Sequence, residues 1–311
     1  ALALVGHHDV VAPADDQVTA AGDAYVVEKR DGRLYGRGTA DMLGAVAAGL
    51  VAFRDAAPKT ELVFASFVGE EAGGVGARYA IDQGFTPEFA IVGEGSAGYA
   101  TPGALDVVVA HKGRRASTVS VAGDSTHASV PETGTNAIYG ACDAIKALRD
   151  ATSPTYTVAG ETLEGTIAVT EIDGGEAWNQ IPGHCELTVD ERTVPAGVSP
   201  LKRLEDRPES TVTVDQNLPP MACSTPAFAD AVGAAAEATQ PETPRQTVKP
   251  HATDAGWLAD AGSACVVCGP AELGEAHTAD ESVSLDLVER SYRLYREALS
   301  MTPPSPGDSC A

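Results

Sequence analysis

The chain has 311 residues, enough to bury a large core and to form two domains. Its 44 acidic and 21 basic residues give a net charge of −23, which argues against charge-driven binding of nucleic acid or an anionic membrane, both polyanions. No run of about 18 apolar residues is present to span a bilayer.

Taken in chain order, an apolar run at 1–5 leads into Gly6-His7-His8-Asp9 and reads as a buried strand. A helix is expected over 42–55, just after Asp41. A strand at 62–68 follows and runs into Gly69-Glu70-Glu71, then a helix at 76–83 and a strand at 89–92 that ends in Gly93-Glu94. This alternation is the signature of a mostly parallel α/β sheet. From Lys112 the texture changes: strand 115–122, helix 136–149, strands 166–172 and 185–189, a short helix at 201–206 and strand 211–214. The order β-α-β-β-α-β is that of a ferredoxin-like α+β insert. After Pro219-Pro220 a helix at 226–238, a strand at 264–268 and a helix at 285–299 restore the first pattern, and the proline-rich tail at 303–307 is expected to be disordered. The expected organisation is therefore a catalytic domain at 1–110 and 219–302, interrupted by a smaller domain at 111–218.

Only six of the bases are lysine. Such an acidic surface fits a halophilic, salt-rich cytoplasm where screening removes self-repulsion; the plainer alternative is an acidic protein of a GC-rich genome. The six cysteines lie scattered, mostly in apolar context, and are expected to be free thiols of a reducing compartment. Cys265-Val-Val-Cys268 has the spacing of a zinc knuckle, but it has no second pair and falls inside a strand-like run.

Each of the four strand-like runs ends in, or leads to, an acid or a histidine: His7 and Asp9, Glu70 and Glu71, Glu94, and His277 beyond Gly269-Pro270. In an open α/β sheet the loops beyond the carboxyl ends of the strands line the binding crevice. Carboxylates and imidazoles delivered there from several strands are suited to hold a divalent metal.

With Asp41 in Tyr35-Gly36-Arg37-Gly38-Thr39-Ala40-Asp41-Met42, the set resembles the di-zinc amidohydrolase and metallopeptidase family of acetylornithine deacetylase, succinyl-diaminopimelate desuccinylase and glutamate carboxypeptidase. The resemblance covers nearly the whole chain, with the motifs in the family's order. It implies His7 and Glu94 on one metal, Glu71 and His277 on the other, and Asp41 bridging both. Asp9 would orient the His7 ring from behind. Glu70 would be the general base, acting on a hydroxide shared by two ions about 3.5–4 Å apart. The insert would be a lid and dimerisation domain. Its His127, in Asp124-Ser125-Thr126-His127, would reach the partner subunit's site and stabilise the oxyanion. Asn179 and Arg192 would hold the substrate's carbonyl and carboxylate. Thr253-Asp254-Ala255 matches a further motif lining the cleft, and His8 competes with His7 for the first ligand position, the His-x-Asp register favouring His7.

Some features depart from the family. Leu43 stands where a lysine is common, and the segment 15–26 lacks a usual tryptophan. The family's several dozen residues before the first motif have no counterpart, so an N-terminal part of the catalytic domain is expected to be missing. The reading is a cytoplasmic, homodimeric hydrolase with two Zn²⁺ (Co²⁺ or Mn²⁺ also fitting such ligands) that cleaves the amide of a small N-acyl amino acid. A dipeptidase or carboxypeptidase of the same family, or an inactive binding homologue, are the alternatives.

Overall fold

The computed structural model describes residues 1–304. The chain forms two compact units: one comprises Ala1–His111, Val158–Glu161 and the chain from Met221 onward, the other Lys112–Thr157 and Thr162–Pro220. The tail expected to be disordered lies mostly outside the described residues, as does Cys310.

The first unit opens with β1 (Leu2–His7), α1 (Gly44–Asp55), β2 (Leu62–Phe67), α2 (Val75–Asp82), β3 (Phe89–Val92) and β4 (Val107–His111). The second unit contains β5 (Gly113–Ala122), α3 (Ala137–Arg149), β6 (Thr166–Gly174), β7 (His184–Thr193), α4 (Lys202–Glu205) and β8 (Ser210–Leu218). The chain then returns to the first unit with β9 (Met221–Ala222), α5 (Pro226–Glu237), β10 (Gln246–Lys249), α6 (Ala255–Asp260), β11 (Ala264–Val267) and α7 (Leu285–Ser300).

A seven-stranded mixed sheet forms the first unit, in the order β9-β4-β11-β3-β1-β2, with β10 paired to β4. β2, β1, β3 and β11 run parallel, whereas β4 meets β11 antiparallel. Those four parallel strands are the four apolar runs of the sequence. Leu2, Leu4, Phe89, Ile91 and Val266 face one apolar cluster with α1, α5 and α7; Ala3, Val5, Ala90, Val92 and Val267 face another with α2 and α6. Burial on both faces explains why β1, β3 and β11 read as continuous apolar runs and not as alternating ones, whereas β2 lies at the edge of the sheet and is only partly buried. Because they are parallel, their carboxyl ends share one edge, and the residues that follow them are delivered to that edge.

α1 begins two residues later than expected. Asp41 and Met42 have non-helical backbone angles (φ −120, ψ 93 and φ −133, ψ 35). The N–H groups of Ala40 and Asp41 are drawn to the Glu281 carboxylate instead. A small antiparallel sheet of Glu28–Arg30, Arg33–Tyr35 and Ser282–Ser284 was not evident from the sequence. It ties the segment before Asp41 to the chain just past His277.

In the second unit the strand order is β6-β7-β5-β8, antiparallel throughout. With two helices between the strands, this is a ferredoxin-like arrangement. Val119, Val121, Leu187 and Val189 of the sheet pack against Ala141, Ala144 and Leu148 of α3 and Leu204 of α4. α3 starts where Asn136 Oδ1 accepts the Ile138 N–H at 2.9 Å, a side-chain N-cap. Among the described residues, no helix is long and apolar enough to cross a membrane.

Candidate metal centre

All five residues expected to ligate metal lie in the first unit, and the structure brings them together. His7 Nε2 lies 3.0 Å from Asp41 Oδ1 and 3.3 Å from Glu94 Oε1. His277 Nε2 lies 3.1 Å from Asp41 Oδ2 and 3.0 Å from Glu71 Oε1. Asp41 therefore turns one oxygen to each histidine. The donor atoms of His7, Asp41 and Glu94 fall within 4.8 Å of one another, as do those of Asp41, Glu71 and His277. Two triads of nitrogen and oxygen donors sharing one carboxylate fit a pair of divalent ions. His8, by contrast, is exposed and faces Ser66 Oγ at 3.0 Å, away from Asp41.

Each side chain is aimed by its element. His7 ends β1, paired with β2 and β3 on either side, and is almost wholly buried. Its Nδ1 donates to the Asp9 carbonyl at 3.0 Å, which presents Nε2 to Asp41 and Glu94. The Asp9 carboxylate was expected to hold the ring; it stands farther off, at 3.6 Å. It accepts the backbone N–H groups of Glu70 and Glu71, both at 3.2 Å, and so fixes the turn that follows β2. Glu94 follows β3, with Lys249 Nζ at 3.3 Å from its Oε2. His277 is half-exposed and carries a left-handed φ of 64, in a loop after β11.

The charges in the metal-free protein are strongly coupled. Burial alone would lower the His7 pKa, but hydrogen bonds to Asp41 and Glu94 outweigh it and push it up to about 12. Burial opposes ionisation of Asp41, yet His277 and His7 hold its carboxyl well below the usual range. The His277 pKa is raised to about 9, chiefly by its hydrogen bond to Asp41. Both histidines thus hold protons where lone pairs would be needed for a metal. Glu70 belongs to neither triad. Burial, reinforced by the charge of Glu94, pushes its pKa up to about 9, and a carboxylate of that kind binds a proton readily.

Several neighbours escaped the sequence reading. Lys249 is buried and also donates to the Gly95 carbonyl at 3.0 Å. Glu281, fully buried, pairs with Arg37 at 2.5 Å and accepts the N–H groups of Ala40 and Asp41 at 3.0 and 3.1 Å. Asp254 is buried with neither carboxylate oxygen hydrogen-bonded, and burial raises its pKa to about 7. Beside it, Thr253 Oγ1 lies 3.1 Å from His111 Nε2. Cys265 and Cys268 pack into the apolar clusters on opposite faces of the sheet and do not converge on one ion.

His127, Asn179 and Arg192 belong to the second unit. His127 pairs with Gln180 in a two-stranded ribbon, and the Ala128 N–H donates to the Asn179 carbonyl at 2.9 Å, so the two predicted residues sit side by side. His127 Nδ1 is 2.7 Å from Ser129 Oγ. Arg192, on β7, donates through Nε to Asp190 Oδ1 at 2.9 Å.

Imidazoles and carboxylates gathered into two linked triads at the carboxyl edge of an α/β sheet, with a proton-binding glutamate beside them, are the equipment of a metal-dependent hydrolase. The comparisons agree on that class. The chain belongs to peptidase family M20/M25/M40, whose model matches residues 3–301. It is 32% identical to an acetylornithine deacetylase of Myxococcus xanthus over 96% of this chain and 80% of the relative. It is 30% identical to an acetylornithine deacetylase of Proteus mirabilis over 94% of this chain and 77% of the relative. Among solved structures, the aminopeptidase PepT of Bacillus cereus superimposes with a TM-score of 0.72 at 21% identity, covering 96% of this chain and 81% of that one. A dinuclear metal-binding peptidase of the M20 family from Bacillus subtilis gives 0.66 at 15% identity, covering 96% and 80%.

Proposed function

We propose that the chain removes the acyl group from a small N-acyl amino acid, as a deacylase of the deacetylase or desuccinylase type working with two metal ions. His7, Asp41 and Glu94 would hold one ion and Asp41, Glu71 and His277 the other. The observation that carries this reading is the division of the two Asp41 oxygens between His7 and His277, at 3.0 and 3.1 Å. The relatives named acetylornithine deacetylase support the acyl-amino-acid substrate. Zinc suits the mixed imidazole and carboxylate donors, and cobalt or manganese would serve the same set.

When bound, the ions would acidify water and polarise the scissile carbonyl. The rest falls to the chain. Glu70 takes the proton of the attacking water and returns it to the leaving amine, as its raised proton affinity allows. Asp9 keeps Glu70 in place through the backbone of its turn. On the second unit, His127 would donate to the oxyanion in the partner's site of a lid-mediated homodimer. Asn179 would hold the substrate carbonyl, and Arg192 would exchange Asp190 for the substrate carboxylate. A cytoplasmic, salt-rich setting is proposed from the net charge of −23 and the scarcity of lysine.

The test is hydrolysis by the metal-loaded protein of N-acetylornithine, N-succinyl-diaminopimelate, N-acetyl-lysine and a few dipeptides. Turnover of an acyl amino acid in preference to the dipeptides supports the proposal. Exclusive cleavage of dipeptides would make the chain a peptidase, and no turnover of any substrate by protein with full metal content would make it a binding homologue.

A further inference from the structure

The two triads differ in how their histidines are held. His7 ends a buried strand with neighbours on both sides, whereas His277 sits half-exposed in the irregular stretch between β11 and Ser282. A non-glycine residue at φ 64 persists only where its surroundings fix it. The residues that do so come from far away in sequence. Arg33 Nη1 donates to Glu272 Oε2 at 2.5 Å and Nη2 to Glu275 Oε1 at 2.9 Å. Its Nε reaches Ser282 Oγ at 2.9 Å, so one guanidinium grips the loop on both sides of His277. The second oxygen of Glu275 accepts the N–H and the hydroxyl of Ser282, both at 3.1 Å, which closes the loop on itself. Gln17 Nε2 donates to the carbonyls of Thr278 and Ala279, at 3.1 and 2.8 Å, the two residues directly after His277.

We propose that Arg33 and Gln17 are positioning residues that set how tightly the Asp41–Glu71–His277 triad binds its ion, while leaving the His7–Asp41–Glu94 triad unaffected. The proposal rests on the two-ion reading above. It follows from where the donors sit. His7 and Glu94 stand at the ends of paired strands and need nothing from Arg33, whereas His277 has only its loop. A ligand that wanders by a fraction of an ångström loses affinity, because the binding free energy must then cover its ordering. Arg33 is suited to the task because its planar fork spans two carboxylates at once, which a lysine ammonium cannot reproduce in the same geometry.

The experiment is a titration of the metal-free protein with Zn²⁺ against a chromophoric chelator, resolving two dissociation constants. It is run on wild type, Arg33→Ala, Arg33→Lys and Gln17→Ala, with the thermal unfolding of each metal-free protein alongside. Wild type is expected to take two ions. In Arg33→Ala the weaker of the two constants should rise by about tenfold or more, and the tighter should stay within about twofold. Gln17→Ala should show the same selectivity to a smaller extent, and Arg33→Lys should fall between wild type and Arg33→Ala. A role confined to general stability would lower the unfolding temperature and weaken both sites alike. Equal losses at both sites, or an unchanged weaker site in both Arg33→Ala and Gln17→Ala, overturn the clamp while leaving the two-ion centre standing. A wild-type chain that binds fewer than two ions overturns the two-ion reading and the clamp together.

Discussion

Glu281→Gln is the substitution whose cost the structure defines most closely. The Glu281 side chain is fully buried and Arg37 nearly so, at 0% and 4% exposure, with Nη1 and Oε2 2.5 Å apart. The other oxygen accepts the Ala40 and Asp41 N–H groups. Glutamine keeps the size and one acceptor oxygen but removes the charge. The Arg37 guanidinium, whose Nε already has no partner, is then left buried without a counter-ion. Removing one member of a buried pair costs about 3–5 kcal/mol, a large part of a typical folding stability of about 5–15 kcal/mol. The expected loss at neutral pH is therefore about 3–5 kcal/mol, together with weaker metal uptake, because the turn that aims Asp41 loses its charged anchor. Urea unfolding of metal-free wild type and variant, followed by tryptophan fluorescence and far-UV circular dichroism together, measures the first effect and shows whether the transition is two-state. Glu272→Gln, which breaks a half-exposed pair with Arg33, is the control and should cost no more than about 1 kcal/mol. A loss below about 1 kcal/mol for Glu281→Gln would refute the claim that this pair anchors the Asp41 turn.

Glu70→Gln should retain both ions and lose about 100-fold or more of the catalytic rate; near-normal turnover at full metal content would show that another group takes the proton. In the metal-free protein the His277 pKa is raised to about 9, so its stabilising contribution is complete below its ordinary value near 6.5 and fades as pH rises through about 9. Metal uptake at pH 8 should accordingly release protons, and calorimetry in buffers of different ionisation enthalpy measures how many. Asp254 shows a shift of the same sign in a carboxyl. Its folded pKa of about 7 exceeds the ordinary value of 3.8, so the folded state holds the proton longer and stability falls as pH rises between those values. Metal-free Asp254→Asn should lose less stability than wild type between pH 4 and pH 8, and identical pH profiles would exclude a desolvated carboxyl there.

Much of the first unit could be read from the sequence because β1, β3 and β11 are buried on both faces and, with the partly buried edge strand β2, stand out as largely apolar runs. His7 at the end of β1, and Glu71 and Glu94 shortly after β2 and β3, could be proposed as metal-binding for the same reason, since a strand end in such a sheet has a known destination, whereas His277 lies well past the end of β11. β10 escaped notice because its sequence, Gln246–Lys249, mixes polar and apolar residues. Lys249 can be buried there because Glu94, 155 residues away, meets its charge and the Gly95 carbonyl accepts from it. Glu281 and Arg37 are 244 residues apart, and Arg33 and Glu275 are 242 apart. Ion pairs of that separation leave no local pattern, so the groups that brace the proposed ligands were invisible in the sequence while the candidate residues themselves were not. The start of α1 was misjudged for a related reason. Helix propensity at Met42 yields to a carboxylate from the far end of the chain.

The two-ion centre is put to the test by elemental analysis of wild type and Asp41→Ala after loading with Zn²⁺ and removal of excess ion. Asp41 is the carboxylate shared by both triads, so two ions per chain are expected in wild type and almost none in the variant. Two ions retained by Asp41→Ala, or fewer than two in wild type, would contradict the two-ion reading.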